Sequence, residues 1–437
     1  MQENLKRTIG VFGMASAVVN MTIGTGIFVL PALAAEYLGA AAILSFFICG
    51  LLIFFIALCF AEVGSKVTVS GGAYEYIGSA FGPYAGFVAN ILFVASCVFA
   101  DAGSAVAISK TLSFFWPVLD SASVRPLFIL FLFVAFAYIN IRGAKQGLQF
   151  VMIASFAKLV PLLLLIAFGT GHIKMENLAW TKDFNFRDIG NATLVLFFAF
   201  VGLETAVANG GEIKNPARTV PLGILSGLSF VLIIYVSIQL ITQGILGAQL
   251  AAVKEAPLVE VSKIIFGPVG ISIMVAGTAV SMMGGISGEV LGITRIIYAG
   301  ARDGLFPKFL ARVHPKFFTP HRAIIFYTAL AFLLAVVGVF KQLIILSSAT
   351  ILLIHLGVVL STIKLRRIKT AGPEKTFKVP GGIIIPILAA ITIIWVLSNL
   401  SKEELTGVGI SLVVLSVIYF LMKWFKDKKK IHNRSGN

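Results

Sequence analysis

The chain contains little charge. Of its 437 residues only 12% are Asp, Glu, Lys or Arg, whereas 58% are hydrophobic, and the mean hydropathy is +0.98. A soluble protein of this composition would expose large apolar patches and aggregate, which excludes a soluble globular domain. The surface must instead face lipid, so the composition predicts a membrane protein whose surroundings are the bilayer.

Cysteine is also scarce, with three residues in the whole chain. Three thiols are too few for a disulfide framework. Cys49, Cys59 and Cys97 all lie within apolar runs, so we interpret them as packing residues or as liners of a small cavity. Cys97 is placed among the candidates for a substrate-binding site.

The signatures of enzymes are missing too. No nucleotide-binding glycine loop, metal-ligand cluster or nucleophile–base spacing stands out in the sequence. We therefore predict that the chain is not an enzyme and needs neither a metal nor a cofactor. It also has no low-complexity segment and no linker that could join two soluble domains, so we predict a single transmembrane domain over residues 1–437.

Acidic residues are outnumbered by basic ones, 19 against 35, and the formal net charge of +16 could suggest a nucleic-acid partner. The arrangement of the apolar stretches points instead to membrane topology. Stretches near the roughly 20 residues of a spanning helix occur at about 12–36, 41–65, 84–113, 126–141, 146–171, 189–209, 219–244, 266–300, 323–340, 342–363, 381–398 and 405–422.

These stretches predict about twelve transmembrane helices. If the N-terminus is inside, 24 of the 35 basic residues fall in segments that face the interior, as the positive-inside rule expects. We therefore predict a multi-pass protein of the cell (inner) membrane with both termini cytoplasmic and with no nucleic-acid partner.

Two of the predicted helices are interrupted by glycine, at residues 23–27 (IGTGI) and at residues 198–204 (FAFVGLE). In hydrocarbon an unpaired peptide group costs several kcal/mol, so a spanning helix breaks only where it lines a cavity or a ligand site. Paired breaks in two halves of a chain indicate a transporter's substrate site.

The positions of the two breaks also predict an internal repeat. If interrupted span one corresponds to interrupted span six, each repeat has five helices and the second copy is inverted. The first repeat would cover about 8–171 and the second about 188–365, with two peripheral helices over about 380–424.

The first break predicts a site for a carboxylate. Glycine frees the backbone at Gly24 and Gly26, which would leave amide groups at the N-terminus of a half-helix, and Thr25 adds a hydroxyl. Thr22 and Ile23 precede this segment and belong to the same candidate site. The competing interpretation is a packing seam of small residues.

The second break predicts a site for a substrate amine. Carbonyl groups freed around Phe198, Ala199 and Val201 would face an ammonium group, and Phe198 or Phe200 could cover it. The break also includes Gly202, and Glu204 follows it inside the membrane, where an ionisable group is costly and usually functional. A structural carboxylate hydrogen-bonded to a neighbouring helix is the alternative for Glu204.

Lys158 lies well inside predicted span five. A lysine there could replace a bound cation and brace the broken span, or it could load and release a proton, and we predict a role in proton coupling. The alternative is that its side chain snorkels to the membrane surface.

Two acidic residues, Asp101 and Glu289, lie deep in predicted spans three and eight. If they face the cavity, they favour a cationic side chain or a proton; they could instead pair with Arg295, with Lys158 or with the backbone. Glu36 and Glu62 lie near span ends, where we expect water to reach them. We interpret His355, alone in span ten, as a satisfied packing residue rather than a proton carrier.

At these residues the chain resembles the amino acid–polyamine–organocation (APC) superfamily of transporters. The matching segments are 23–28 (IGTGIF), 70–74 (SGGAY), 198–204 (FAFVGLE), 212–218 (EIKNPAR) with Pro221, and 301–307 (ARDGLFP). The resemblance implies the inverted five-plus-five leucine-transporter-type fold with two extra helices. It also implies that a substrate carboxylate lies at Thr25 and Gly26 and that its amine lies at carbonyls around Thr22, Phe198 and Val201.

Within the superfamily the chain is a mosaic. Residues 93–101 resemble the third span of the arginine–agmatine exchangers, but Asp101 stands where they have an asparagine and Glu289 where they have a tryptophan. Lys158 resembles the lysine that replaces a sodium ion in proton-coupled and neutral amino-acid branches. The identity of the substrate therefore does not carry over from the resemblance.

The sequence thus predicts a secondary active transporter that moves amino acids by alternating access, with proton coupling and a preference for cationic substrates. Its expected partners are a small-molecule amino acid or amine, protons and the lipid bilayer. Two alternatives stay open. One is an amino-acid or polyamine exchanger without net proton coupling, and the other is a channel or nutrient sensor on the same fold.

Overall fold

The computed structural model describes residues 7, 9–67, 72–143, 154, 157–207, 213–254, 256–302, 304–367 and 376–434. The α-helices within this part, in chain order, are α1 (Val11–Thr22), α2 (Gly26–Leu38), α3 (Ala42–Lys66), α4 (Ala73–Phe81), α5 (Pro83–Leu112), α6 (Val124–Arg142), α7 (Leu159–Gly169), α8 (Phe186–Phe197), α9 (Leu203–Ala206), α10 (Pro216–Leu246), α11 (Pro257–Arg302), α12 (His321–Val337), α13 (Phe340–Leu365), α14 (Ile384–Leu397) and α15 (Lys402–Arg434).

The described residues are helical and contain no strand, apart from one isolated bridge between Ile9 and Ile213. Eight helical segments in this part are long and apolar enough to cross a membrane, and the segment Gly26–Lys66 among them includes both α2 and α3. Four apolar helices are shorter, namely α1, α7 with the turn that follows it, α12 and α14. The chain is therefore an all-α membrane protein, while the number of twelve spans stays a prediction.

Local sequence explains where individual helices begin. Before α8, the Asn185 side chain accepts hydrogen bonds from the amides of Arg187 and Asp188, and the Asp188 carboxylate accepts one from the Asn185 amide. This reciprocal cap satisfies amides that have no partner at a helix N-terminus. The segment 247–263 lies between two of the predicted spans, 219–244 and 266–300, and is partly helical, because α11 already begins at Pro257 and buries Leu258.

The helices differ in how deeply they lie in the molecule. In the most apolar stretch of α5, 83% of the residues are buried, and the corresponding share is 78% for the segment formed by α8 and α9. In α15 none of the residues in the most apolar stretch is buried. The helices that carry the second break and Asp101 are therefore interior, whereas α15 offers its apolar side chains to lipid.

The two ends of α13 are held by ion pairs. At its start, the Lys341 ammonium lies 3.3 Å from the Glu36 carboxylate of α2, and Lys254 lies 3.0 Å from the same carboxylate. At its end, Arg366 donates to both oxygens of Glu62, with 2.7 Å between Arg366 Nε and Glu62 Oε1. The hydrogen bond to this carboxylate raises the pKa of the Arg366 guanidinium.

The expectation that water reaches Glu62 is wrong. Its side chain is 0% exposed, since Lys66 lies 3.1 Å from Oε1 and the Val379 amide donates to Oε2 over 2.8 Å in addition to Arg366. The side chain of Glu36, in contrast, is 31% exposed.

Some predicted features lie outside the described residues. They are the start of the fifth span (residues 146–153), the motif residues Ser70, Gly71, Glu212 and Asp303, and four of the 24 basic residues counted on the cytoplasmic side, namely Lys6, Lys145, Lys369 and Lys375.

Candidate substrate site

The first break separates α1 from α2. The Ile23 amide makes the last helical bond of α1, to the Val19 carbonyl over 3.0 Å, and Ile23 then adopts an extended ψ of 94°. Within the described residues the amides of Gly24 and Thr25 donate to no carbonyl. The helix α2 thus begins with free donors, which are the groups that bind an anion at a helix N-terminus.

The second break follows α8. A single 3₁₀ turn covers Phe198–Phe200, and the short helix α9 begins only after Gly202, which has φ +127° and ψ −20°. Residues with a Cβ rarely adopt this conformation, which explains why a glycine stands here. The breaks predicted from the glycines are therefore present at both positions.

The two breaks pack directly against each other. A Cβ added to Gly26 would lie 2.7 Å from the Ala199 Cα, and one added to Gly202 would lie 2.4 Å from the Met21 carbonyl oxygen. Neither approach leaves room for a side chain. Each break thus supplies one glycine that lets the backbone of the other come close.

Tyr235 of α10 joins the two breaks through its hydroxyl. The oxygen lies 2.9 Å from the carbonyl of Thr22 and 2.8 Å from the carbonyl of Ala199, and the residue is fully buried. Its ring packs edge-on against Phe200, with 5.1 Å between centroids. Tyr235 is not among the residues predicted from the sequence; the available signal was a tyrosine inside a long apolar helix, where a buried hydroxyl needs a partner.

We expect Tyr235→Phe to lower the free energy of unfolding by about 1–3 kcal/mol, because it leaves two buried carbonyls without this donor. We also expect weaker substrate binding, since the relative position of the breaks is less fixed. Thermal unfolding and substrate titration of the purified protein measure the two effects. Tyr84→Phe is the matched control, because Tyr84 bonds Ser416 at an exposed position. Equal effects of the two changes would contradict a role for Tyr235 in the site.

Lys158 reaches the end of α1. Its ammonium donates to the Ile23 carbonyl over 2.7 Å and also to the Asn20 carbonyl, and the residue is 6% exposed. The side chain therefore does not snorkel to the surface. It supplies donors to carbonyl groups that the end of the helix leaves unpaired.

The two deep acidic residues meet at one tyrosine. The Tyr327 hydroxyl of α12 donates to Asp101 Oδ2 over 2.8 Å, and the Glu289 side chain interacts with Cys97 and Tyr327. The Glu289 Oε2 atom is buried and has no hydrogen-bond partner among the described residues. Neither carboxylate pairs with Arg295, whose guanidinium contacts the Leu291 carbonyl.

Glu204 lies beside the second break rather than in the cavity. Its Oε1 accepts the Gly202 amide over 2.9 Å, and its Oε2 lies 3.2 Å from the Nε2 of His355, which is fully buried. The rings of Phe60 and Phe197 pack edge-on against His355. The pair ties α13 to the backbone of the break, which corresponds to the structural alternative for Glu204.

The breaks line a cavity of about 80 Å³. Ten of the predicted site residues line it, namely Thr22, Ile23, Gly24, Thr25, Gly26, Asp101, Lys158, Phe198, Val201 and Glu289. Five do not line it, namely Cys97, Ala199, Phe200, Gly202 and Glu204. Lining residues that the sequence analysis missed are Asn20, Met21, Ala100, Ser104, Ala154, Ser281, Gly284, Gly285, Ile286 and Gly288.

The cavity lining carries two chemically different kinds of polar group. One kind is the free amides of Gly24 and Thr25, with the Thr25 hydroxyl 2.7 Å from the hydroxyl of Ser104. The other is the carboxylates of Asp101 and Glu289. Such a lining can hold a molecule that has both an anionic group and a hydrogen-bond donor.

Comparison with known proteins places this geometry in a family. The model of the amino acid permease family matches residues 9–430. The chain is 29% identical to the branched-chain amino acid permease BcaP of Bacillus subtilis (strain 168), over 96% of this chain and 94% of that protein. It is 28% identical to the serine/threonine exchanger SteT of the same organism, over 96% of this chain and 98% of that protein.

A third relative from this organism, the methylthioribose transporter, is 27% identical over 96% of this chain and 94% of its own length. All three are transporters, and the family match covers nearly the whole of the chain, including both breaks and the cavity between them. The chain is therefore an integral membrane protein that belongs to the amino acid permease family, within the APC superfamily.

Proposed function

We propose that the chain is a secondary active transporter that carries an α-amino acid through the cavity between the two breaks by alternating access. The observation that carries the proposal is the meeting of both interrupted spans at one cavity, where each leaves backbone groups available to a ligand. The five-plus-five inverted repeat, the twelve spans and the cytoplasmic termini are part of this proposal.

In the proposed complex the substrate carboxylate binds the amides of Gly24 and Thr25 at the start of α2. The helix dipole and two unpaired donors both favour an anion there. The amine faces the second break at Phe198 and Val201, which line the same cavity. The Thr22 and Ala199 carbonyls already contact the Tyr235 hydroxyl, so their proposed role is to stabilise the site. The amine would instead bind the peptide groups at Phe198 and Val201.

The substrate side chain is proposed to extend towards Asp101 and Glu289. Since Glu289 Oε2 has no partner among the described residues, a substrate that donates a hydrogen bond or carries a positive charge would satisfy it. Asp101, by contrast, is already bonded to Tyr327. The proposal therefore assigns the larger part of the cationic preference to Glu289.

We expect Glu289→Gln to weaken binding of lysine or arginine about tenfold or more, because the change removes the carboxylate that would face the substrate cation. Binding of leucine or serine should change less than threefold. Asp101→Asn keeps the bond to Tyr327 possible and should have a smaller selective effect. Competition against a bound radiolabelled substrate measures these affinities. Equal losses for cationic and neutral substrates would contradict the assignment.

Lys158 is proposed to couple transport to protons. The charged ammonium holds the carbonyls of Asn20 and Ile23, and charge-assisted hydrogen bonds are roughly twice as strong as neutral ones. Release of its proton would weaken this hold on the end of α1. Protonation and the shape of the first break would thereby be linked.

An exchanger without net proton movement is the second candidate, and the likeness to a serine/threonine exchanger favours it. Purified protein in proteoliposomes, tested with radiolabelled amino acids and polyamines, separates the two. Uptake into empty vesicles driven by an inward proton gradient supports the proposal, whereas uptake that needs preloaded internal substrate supports the exchanger. Uptake of polyamines in preference to amino acids would contradict the carboxylate site. Single-channel currents in planar bilayers would indicate a channel.

A further inference from the structure

On the outer surface α6 and α12 enclose a groove of about 370 Å³, and none of its lining residues lines the substrate cavity. Its walls are almost entirely apolar, and the hydroxyl of Thr328 on its floor is bonded to the Ile324 carbonyl over 2.9 Å. Side chains along its rim are exposed, including Val134 at 57% and Ile325 at 52%. The groove therefore opens to the hydrocarbon region of the membrane.

The groove has the length of one membrane leaflet. On α6 it extends from Leu130 to Ile141, which corresponds to about 16 Å at 1.5 Å per residue. Half of a hydrocarbon core of about 30 Å is about 15 Å. A single acyl chain thus matches the groove from the membrane surface to the midplane.

One end of the groove carries a cluster of positive charge. Arg142 ends α6 and stacks over Tyr138, a groove residue, with 5.2 Å from its guanidinium carbon to the ring centroid. The Thr319 hydroxyl donates to the Ile141 carbonyl over 2.7 Å, which fixes the start of α12 next to Arg142. Arg322, in the first turn of α12, and Arg312 both lie within electrostatic range of His321.

Three arginines, Arg142, Arg312 and Arg322, form this cluster. Among the described residues none of the three guanidinium groups has a carboxylate within 4.0 Å. Arginine suits phosphate because its planar donors can form two parallel hydrogen bonds. The apolar walls suit the acyl chain of an anionic phospholipid, and the guanidinium groups at one end suit its phosphate.

We propose that the groove between α6 and α12 binds one anionic phospholipid, with an acyl chain along the groove and its phosphate at Arg142 and Arg322. A second copy of the chain fits less well. A two-fold dimer through this groove with both copies in the same orientation would bring the two arginine clusters together at the same membrane depth, and like charges repel.

Native mass spectrometry of the detergent-purified chain, titrated with phosphatidylglycerol and with phosphatidylcholine, tests the proposal. We expect Arg142→Gln to weaken retention of phosphatidylglycerol about fivefold, and Arg142→Gln with Arg322→Gln about 25-fold, while phosphatidylcholine changes little. Ala329→Trp places a large side chain in the groove and should weaken both lipids. Arg142→Lys keeps the charge but loses the paired donors, so it should retain phosphatidylglycerol better than Arg142→Gln and less well than the unchanged chain.

Arg218→Gln is the matched control, because Arg218 is exposed near the start of α10, away from the groove. It should retain phosphatidylglycerol as the unchanged chain does. The proposal is wrong if the double arginine variant binds phosphatidylglycerol normally, or if Arg218→Gln loses as much. It is also wrong if Ala329→Trp abolishes dimers but leaves lipid retention unchanged, since a second copy would then occupy the groove. Should the double arginine variant fail to fold, the comparison of Arg142→Gln with Arg142→Lys and the effect of Ala329→Trp still test the proposal.

Discussion

Gly202→Ala is expected to abolish transport and to lower the free energy of unfolding by about 2–5 kcal/mol. The added Cβ would lie 2.4 Å from the Met21 carbonyl oxygen, and overpacking of this kind costs about 1–3 kcal/mol. The backbone at φ +127° adds roughly 1–2 kcal/mol of strain for a residue with a side chain. Thermal unfolding in detergent and uptake into proteoliposomes measure the two losses.

Gly24→Ala provides the comparison for stability. A Cβ at Gly24 meets no atom within 4 Å, so this variant should unfold within about 0.5 kcal/mol of the unchanged protein, as open positions usually do. Gly26→Ala, which would bring a Cβ to 2.7 Å from the Ala199 Cα, should behave like Gly202→Ala. If all three variants were equally stable, the close contact between the breaks could not be essential.

Lys158→Met is expected to lower the rate of uptake at least tenfold and to remove its dependence on pH. The change withdraws the donor from the Asn20 and Ile23 carbonyls, and each buried acceptor left unpaired costs about 1–3 kcal/mol. The end of α1 should therefore lose its defined shape. Initial rates of uptake between pH 5.5 and 8 give the measurement.

Lys158→Arg separates bracing from proton transfer. Arginine stays charged in proteins. The Lys158→Arg variant should therefore fold and show measurable uptake, and the rate of uptake should no longer depend on pH. Lys263→Met is the control for loss of a lysine, because the Lys263 side chain is 54% exposed and lies outside the cavity. Normal pH dependence in Lys158→Arg would show that Lys158 does not carry the coupled proton.

The positions of the two breaks could be predicted because their cause is local. Glycines inside apolar spans, at Gly24, Gly26 and Gly202, indicate a backbone that leaves the helix. A lysine in the middle of a span must likewise find a partner near that depth, so a functional position for Lys158 could be expected. Its partners, the carbonyls of Asn20 and Ile23, could not be predicted, because no sequence pattern shows which helix Lys158 faces.

The residues that sequence reasoning missed depend on contacts between distant parts of the chain. Tyr235 contacts Thr22 and Ala199 across 213 and 36 residues respectively. Its place in an apolar helix indicates that the hydroxyl needs a partner but not which partner it has. Glu62 was expected to meet water at a span end, but Arg366 covers it from a helix 304 residues away. Contacts between such distant residues can be identified only in the packed structure.

The unequal ion pairs of α13 give the molecule two ends that respond differently to salt. Glu62 is sealed from solvent, so dissolved ions barely reach its bond to Arg366, whereas Glu36, Lys254 and Lys341 are all partly exposed. Exposed charges lose most of their attraction once the Debye length falls to a few ångströms. High ionic strength would then weaken the ion pairs at the start of α13 and leave the ion pair at its end intact.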